Sequence, residues 1–179
     1  PLNCFMFIQE TTPNDLDELE RKLRLNQFRG GTAAVYMEPV GPESGTTPIT
    51  VEYVKGVERL CRKYGALLVF DEVVTGFRIG MAGAQGYFGV SPDLTIFGKV
   101  IAGGYPGAGG IGGKREYMKY LGAGLDSSGK KIHKALVGGT MTANPLSCCA
   151  GYFTLEEIER TNACQKAGQM GDRICAGLK

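Results

Sequence analysis

The sequence has few of the features that mark metal proteins, membrane proteins or nucleic-acid-binding proteins. It contains a single histidine among 179 residues, and none of its six cysteines forms a Cys-x-x-Cys pair, so no zinc site is expected. The formal net charge of +2 and the lack of a long Lys/Arg run argue against nucleic acid as a partner. No apolar stretch approaches the roughly 18 residues that a membrane span requires, so no membrane partner is expected either.

The start of the chain and its cysteines lack the marks of a secreted protein. Residues 1–4 have neither the basic nor the apolar region of a secretory signal, and they lack an initiator Met. We therefore expect an internal segment of a longer protein. We expect the cysteines to be free thiols in a reducing compartment, which predicts a cytoplasmic location.

Glycine is the residue present in excess. The chain has 28 glycines, clustered in residues 76–89 and 98–113, and such clusters are typical of tight turns and of backbone lying against a ligand. The contents of 43% hydrophobic and 21% charged residues are those of an ordinary globular domain. The length suits one domain and is short for two.

Helix and strand patterns alternate along the chain, which indicates an α/β architecture. Predicted strands cover 33–37, 66–70 and 94–97. Predicted helices begin at Thr12-Pro13, at Thr47-Pro48 with an end at Gly65, at Lys114, at Asn144-Pro145 and at Asn162. The helix after Asn144 is expected to turn Leu146, Cys149, Ala150 and Phe153 towards the core.

Two charged residues follow predicted strands. Asp71 comes directly after five apolar residues, and Lys99 follows the predicted strand 94–97. The separation between Asp71 and Lys99 along the chain fits two neighbouring parallel strands. A capping carboxylate and a surface lysine are the ordinary interpretations of each residue alone. Together they fit one chemistry, because a poorly hydrated lysine forms Schiff bases with carbonyls and a nearby aspartate can keep a pyridine nitrogen protonated.

The residues around this pair resemble the signature of class III aminotransferases. The matching segments are Asp71-Glu72-Val73-Val74-Thr75-Gly76-Phe77-Arg78, Gly83-Ala84-Gln85, Phe88-Gly89-Val90, Pro92-Asp93-Leu94-Thr95, Gly98-Lys99 and Gly103-Gly104. Glu38-Pro39-Val40 upstream, and Gly138-Gly139-Thr140 and Asn144-Pro145 downstream, follow in the family's order. Several ordered motifs over nearly the whole chain are far more specific than any single motif.

This resemblance implies a pyridoxal-5′-phosphate (PLP) enzyme of fold type I, with a three-layer α/β fold whose mostly parallel sheet has helices on both faces. Residues 1–179 would form part of the PLP-binding major domain. The family's N-terminal segment and its C-terminal small domain would lie outside them. The implied activity is transfer of an amino group between an amino acid or amine and a keto acid or aldehyde.

The family's site residues can be carried over by position. Lys99 would bind the cofactor covalently and later move a proton between substrate carbons. Asp71 would pair with the ring nitrogen of PLP, and Val73 would pack on one face of the ring. Thr140, together with the Gly139 backbone, would bind the cofactor phosphate of the neighbouring subunit, which implies a homodimer.

The subgroup within the family stays open. The run from Gly83 to Lys99 is most similar to glutamate-1-semialdehyde aminomutases, which move an amino group to the neighbouring carbon of one molecule. Glu43 instead matches the position of a glutamate that gates the substrate pocket in ω-amino acid aminotransferases. A catalytically incomplete fragment is a third interpretation, because the family's own phosphate-binding loop lies upstream. The substrate is not identified by the sequence.

A different cofactor motif is also present. Residues 107–112 read Gly-Ala-Gly-Gly-Ile-Gly, a literal G-x-G-x-x-G. A dinucleotide site would also need an acidic residue at the end of a strand about 20 residues further on. The polar loop that follows offers no such strand, so NAD binding is not expected.

Overall fold

The structure is a computed structural model that describes residues 7–122, 124–125, 128–131, 134–135 and 138–178. The elements are α1 (Leu16–Gln27), β1 (Ala34–Met37), α2 (Pro42–Gly45), α3 (Val51–Tyr64), β2 (Leu67–Glu72), α4 (Gly83–Phe88), β3 (Leu94–Phe97), a 3-10 helix (Lys99–Ala102), β4 (Gly110–Gly113), α5 (Arg115–Met118), a second 3-10 helix (Lys119–Leu121), α6 (Pro145–Thr161) and α7 (Ala163–Gly177). Within the described ranges, no helix has the length and apolar character to cross a membrane.

The four strands form one sheet in the order β1-β2-β3-β4. The β1–β2 and β2–β3 pairs are parallel and the β3–β4 pair is antiparallel. The predicted α/β fold with a mostly parallel sheet is thereby confirmed. Strand β4 was not predicted, because three of its four residues are glycines and carry no strand propensity. It contains the end of the G-x-G-x-x-G segment, which is therefore a strand and not a phosphate loop before a helix.

The hydrophobic core lies between one face of the sheet and the helices α1 and α3. Side chains alternate between the faces of a strand, so Leu68 and Phe70 of β2 point to the same side, where both are fully buried. Their partners in the core include Leu19 and Leu23 of α1 and Val54, Val57 and Cys61 of α3. The opposite face of β2 carries Asp71.

Two helices begin three residues later than predicted. The N-cap of α1 is Asp15, which accepts a hydrogen bond from the Glu18 amide, and the N-cap of α3 is Thr50. Asn14 explains both shifts, because its backbone has φ +65° and its side chain bonds the Pro48 carbonyl and the Thr50 amide. These bonds tie the two helix starts together. Gly65 ends α3 in the left-handed conformation, as predicted.

Helix α6 begins after the predicted N-cap Asn144, but the prediction of its inward face was wrong for Leu146, Cys149 and Phe153, which are exposed. Leu146 and Phe153 are each 61% exposed, whereas Ser147 and Gly151 are buried. A side chain at Gly151 would begin only 1.9 Å from the Ile101 carbonyl oxygen. Small residues therefore let α6 lie directly on the 3-10 helix that Lys99 begins, and an apolar pattern does not reveal such packing.

Candidate functional site

Asp71 is held at the carboxyl end of β2 by two hydrogen bonds. Its Oδ1 accepts a bond from the Val73 amide at 2.9 Å, and its Oδ2 accepts one from the Tyr36 hydroxyl. Tyr36 lies on β1 opposite Val69, so it shares a sheet face with Asp71. The carboxylate is half-buried and fixed in one orientation.

Lys99 follows β3, the strand that pairs with β2. Asp71 lies opposite Ile96, so the aspartate and the lysine both occupy the carboxyl-end edge of the parallel strands. The Lys99 side chain is exposed, and its backbone has φ +50°. Residues other than glycine rarely adopt this conformation, and such strained positions cluster at functional sites. Helix α6 packs closely against the 3-10 helix that begins at Lys99.

Val73 lies next to this pair. One of its methyl carbons, Cγ1, is 3.1 Å from the point where a side chain at Gly98 would begin. The glycine before Lys99 thus makes room for Val73. The structure brings Asp71, Val73 and Lys99 to one end of the sheet, with Tyr36 as a fourth member that the sequence did not reveal.

The other predicted site residues are all exposed. Glu43 is exposed on the short helix α2, which follows β1 at the same edge of the sheet, and its backbone has φ +53°. Gly139 and Thr140 lie in an exposed turn before α6. This turn packs near Gly107 through Met141, whose Cβ is 2.6 Å from the point where a Gly107 side chain would begin. The contacts described for residues 138–178 do not join the turn to Asp71 or Lys99.

The structural role of Glu72, next to the site residue Asp71, was also not predicted. It is buried on the face opposite Asp71, where its Oε2 accepts bonds from the Ala84 amide at 2.9 Å and the Thr75 hydroxyl at 3.4 Å. Oε1 has no partner among the described residues. Burial raises the pKa of this carboxyl above its usual range. Glu72 therefore anchors the loop between Asp71 and α4, and strand alternation would have placed it in the core.

A cavity of about 290 Å³ adjoins Glu72. Its lining residues are Glu72, Phe77, Met81, Ala82, Gly83, Gln85 and Phe97. Phe97 shares the core face with Thr95, two residues before it on β3, so this cavity lies on the other side of the sheet from Asp71. It is not part of the Asp71–Lys99 site.

Asp93, another residue of the signature, has a structural role. Its carboxylate is 1% exposed and accepts bonds from Arg62 at 2.6 Å, Lys114 at 2.7 Å and the Leu68 amide at 2.8 Å. Burial opposes ionisation, but the bonds from these three donors outweigh it and hold the pKa of Asp93 below its usual range. The residue links α3 and the strand β2 to the segment after β4, and so stabilises the sheet that carries the site.

The donor set fits PLP. A carboxylate has about four lone-pair positions, so Asp71 can accept a further bond from a ring N–H while it keeps both of its present donors. Lys99 supplies an exposed amine at the same edge, and Val73 supplies an apolar surface beside Gly98. A fixed carboxylate, an amine and an apolar patch match the ring nitrogen, the aldehyde and the ring face of the cofactor.

Comparison with known proteins identifies the family. The profile of the class-III aminotransferases matches residues 3–179, and the chain belongs to this family, whose members depend on PLP. The resemblance inferred from the motifs is thereby confirmed.

Similar curated proteins are aminomutases. The chain is 43% identical over 171 residues to the glutamate-1-semialdehyde 2,1-aminomutase of Legionella pneumophila strain Paris, covering 95% of this chain and 38% of that protein. It is 40% identical over 165 residues to glutamate-1-semialdehyde 2,1-aminomutase 2 of Brevibacillus brevis, covering 92% and 36%. The chain therefore spans less than two fifths of the length of these relatives.

Similar solved structures are transaminases. An ω-transaminase from Sphaerobacter thermophilus has 35% identity and a TM-score of 0.68, over 82% of this chain and 31% of that one. The ornithine δ-aminotransferase of Plasmodium falciparum has 29% identity and a TM-score of 0.76, over 96% of this chain and 41% of that one. A transaminase solved with PLP bound has 31% identity and a TM-score of 0.67, over 82% and 32%.

Proposed function

We propose that the protein transfers amino groups between an amino acid or amine and a keto acid or aldehyde, with PLP bound at the Asp71–Lys99 site. The observation that carries this proposal is the position of a fixed carboxylate and a lysine at the carboxyl ends of two neighbouring parallel strands. Ligands of open α/β sheets bind at this edge. Residues 1–179 would belong to the major, PLP-binding domain of the whole protein.

When bound, PLP supplies a carbonyl that accepts the amino group and a ring that withdraws electrons from the reacting carbon. Asp71 would keep the ring nitrogen protonated, because its carboxylate is held by Tyr36 and the Val73 amide. Val73 would pack on one face of the ring. The Nζ atom of Lys99 would act first as a nucleophile and then as the base that moves a proton at the substrate.

The turn at Gly139 and Thr140 is proposed to bind the cofactor phosphate of a partner subunit, in a homodimer. Two observations support this proposal. The turn is exposed, and the neighbouring helix α6 exposes the large apolar side chains Leu146, Tyr152 and Phe153, which a second subunit would cover. The described cysteines, from Cys61 to Cys175, are free thiols, which supports a cytoplasmic location.

An intramolecular 2,1-aminomutase is the second candidate, and the names of the similar curated proteins favour it. Glu43 favours the aminotransferase, since we propose that it gates the substrate pocket at the end of β1. The two activities differ in where the amino group goes. An aminotransferase delivers it to a separate keto or aldehyde acceptor, whereas an aminomutase returns it to the same carbon skeleton.

Isotope labelling separates these candidates. The purified protein, loaded with PLP, is supplied with an amino donor whose nitrogen is labelled, with and without an unlabelled keto acid. We expect the label in the acceptor's product, and no net reaction without the acceptor. Label that moves only within the donor skeleton would establish the aminomutase. Transfer that persists in Lys99→Ala but is lost in Lys119→Ala, a variant of an exposed lysine elsewhere, would contradict the proposed site.

A further inference from the structure

Tyr36 and Asp71 are brought together by the register of the β1–β2 pair. Tyr36 lies opposite Val69, which precedes Asp71 by two residues on the same face of the sheet. Diagonal neighbours of this kind are within reach of a long aromatic side chain. The Tyr36 hydroxyl donates a hydrogen bond to Oδ2 of Asp71, while Oδ1 accepts from the Val73 amide. Each carboxylate oxygen thus has one donor from the chain itself.

The phenol of Tyr36 is suited to act as a constant donor. Desolvation of the hydroxyl, followed by its bond to Asp71, raises the pKa of Tyr36 to about 12. The hydroxyl therefore keeps its proton over the working range of an enzyme. The tyrosine is 58% exposed, so the core does not depend on its ring. The one hydrogen bond described for its side chain is the bond to Asp71.

We propose that Tyr36 is a positioning residue for the cofactor, and that its hydroxyl holds the Asp71 carboxylate in the orientation that receives the ring nitrogen of PLP. This inference rests on the proposed function. The Val73 amide constrains one oxygen only, and a carboxylate held at one oxygen can still swing about that bond. The Tyr36 bond constrains the second oxygen and leaves lone pairs free for the ring N–H.

The test is to compare PLP binding in Tyr36→Phe and in the parent protein, by titration of the cofactor's visible absorption band. Phenylalanine keeps the ring and removes only the donor. A hydrogen bond to a charged group makes a large contribution, and we expect the Kd for PLP to rise about tenfold. We also expect the pH at which the absorption band changes to shift, because this pH reports protonation of the imine nitrogen that joins Lys99 to the cofactor. The charge on the ring nitrogen influences that protonation, and a purely structural role of Tyr36 would not move it.

Two controls isolate the effect. Tyr64→Phe removes another tyrosine-to-carboxylate bond, from α3 to Glu20 of α1 at 2.9 Å, away from the site and from the exposed face of α6, and should change neither the Kd nor the band. Unfolding by urea checks that Tyr36→Phe remains folded. Tyr36→Met, which also lacks a donor, repeats the experiment if the phenylalanine variant does not fold.

The outcomes are distinct. A higher Kd for PLP and a shifted absorption band in Tyr36→Phe, with neither change in the control variant, support the proposal. Parent-like values in Tyr36→Phe overturn it, and so do equal changes in Tyr36→Phe and Tyr64→Phe. Asp71→Asn tests the underlying function separately: if this variant binds PLP as well as the parent does, the proposed cofactor site itself is wrong.

Discussion

Replacement of Gly151 by alanine tests whether the close packing of α6 positions Lys99. The new Cβ atom would begin 1.9 Å from the Ile101 carbonyl oxygen and 2.9 Å from the Ile101 carbonyl carbon. These are backbone atoms of the 3-10 helix that begins at Lys99, so a change of side-chain rotamer cannot relieve the clash. Either α6 or the 3-10 helix must move.

The expected magnitude follows from two opposing effects. In an exposed helix, alanine is more favourable than glycine by up to about 1 kcal/mol. Forcing an extra carbon into a closely packed contact costs about 1–3 kcal/mol or more. We expect the second effect to dominate, so that Gly151→Ala lowers the free energy of unfolding by about 2 kcal/mol. It should also slow covalent attachment of PLP, because Lys99 is displaced.

The assay is urea unfolding, with Gly168→Ala as the matched control. Gly168 lies in α7, where an added Cβ would have no neighbour within 4 Å, so helix propensity alone acts there. This control should be stabilised by up to about 1 kcal/mol. If Gly151→Ala were as stable as the parent, or gained stability as Gly168→Ala should, the proposed contact between α6 and the 3-10 helix would be wrong.

Two further predictions concern the buried carboxylates. Asp93→Asn should lower the free energy of unfolding by about 2 kcal/mol, less than the loss of a fully buried ion pair would cost, because Arg62 and Lys114 are partly exposed. The control Asp172→Asn, at an exposed position of α7, should have little effect. Equal urea midpoints for the two variants would contradict the structural role of Asp93. Because the pKa of Glu72 is raised in the folded state, its contribution to stability is complete at acid pH and is lost as the pH rises through that pKa. Glu72→Gln should remove this part of the pH dependence of the free energy of unfolding. An unchanged pH profile in the variant would contradict a buried Glu72 that binds a proton on folding.

The strands were predictable because their apolar runs are continuous. Residues 94–97 were predicted with the bounds that the structure has, and the parallel pairing of the strands before Asp71 and Lys99 follows from the spacing. Strand β4 could not be predicted, because its glycines form a strand only by pairing with β3. The buried face of α6 was predicted wrongly for a related reason, because the small residues Ser147 and Gly151 form it.

The site was predicted in part. Asp71 and Lys99 stand out in the sequence because each follows a run of apolar residues. The hydrogen bond from Tyr36 depends on the register between β1 and β2, which no local pattern of residues encodes. The unpartnered oxygen of Glu72 likewise arises only when the loop from residue 75 to residue 84 folds over the end of β2.

The most direct test of the central claim is borohydride trapping of the purified protein with PLP, followed by peptide mass mapping of the reduced product. We predict that the cofactor is attached selectively at Lys99, that Lys99→Ala abolishes this labelling, and that Lys119→Ala, a variant of another exposed lysine, leaves it unchanged. Labelling scattered over surface lysines of a protein shown to be folded, or labelling that survives in Lys99→Ala at the parent level, would contradict the assignment of the site.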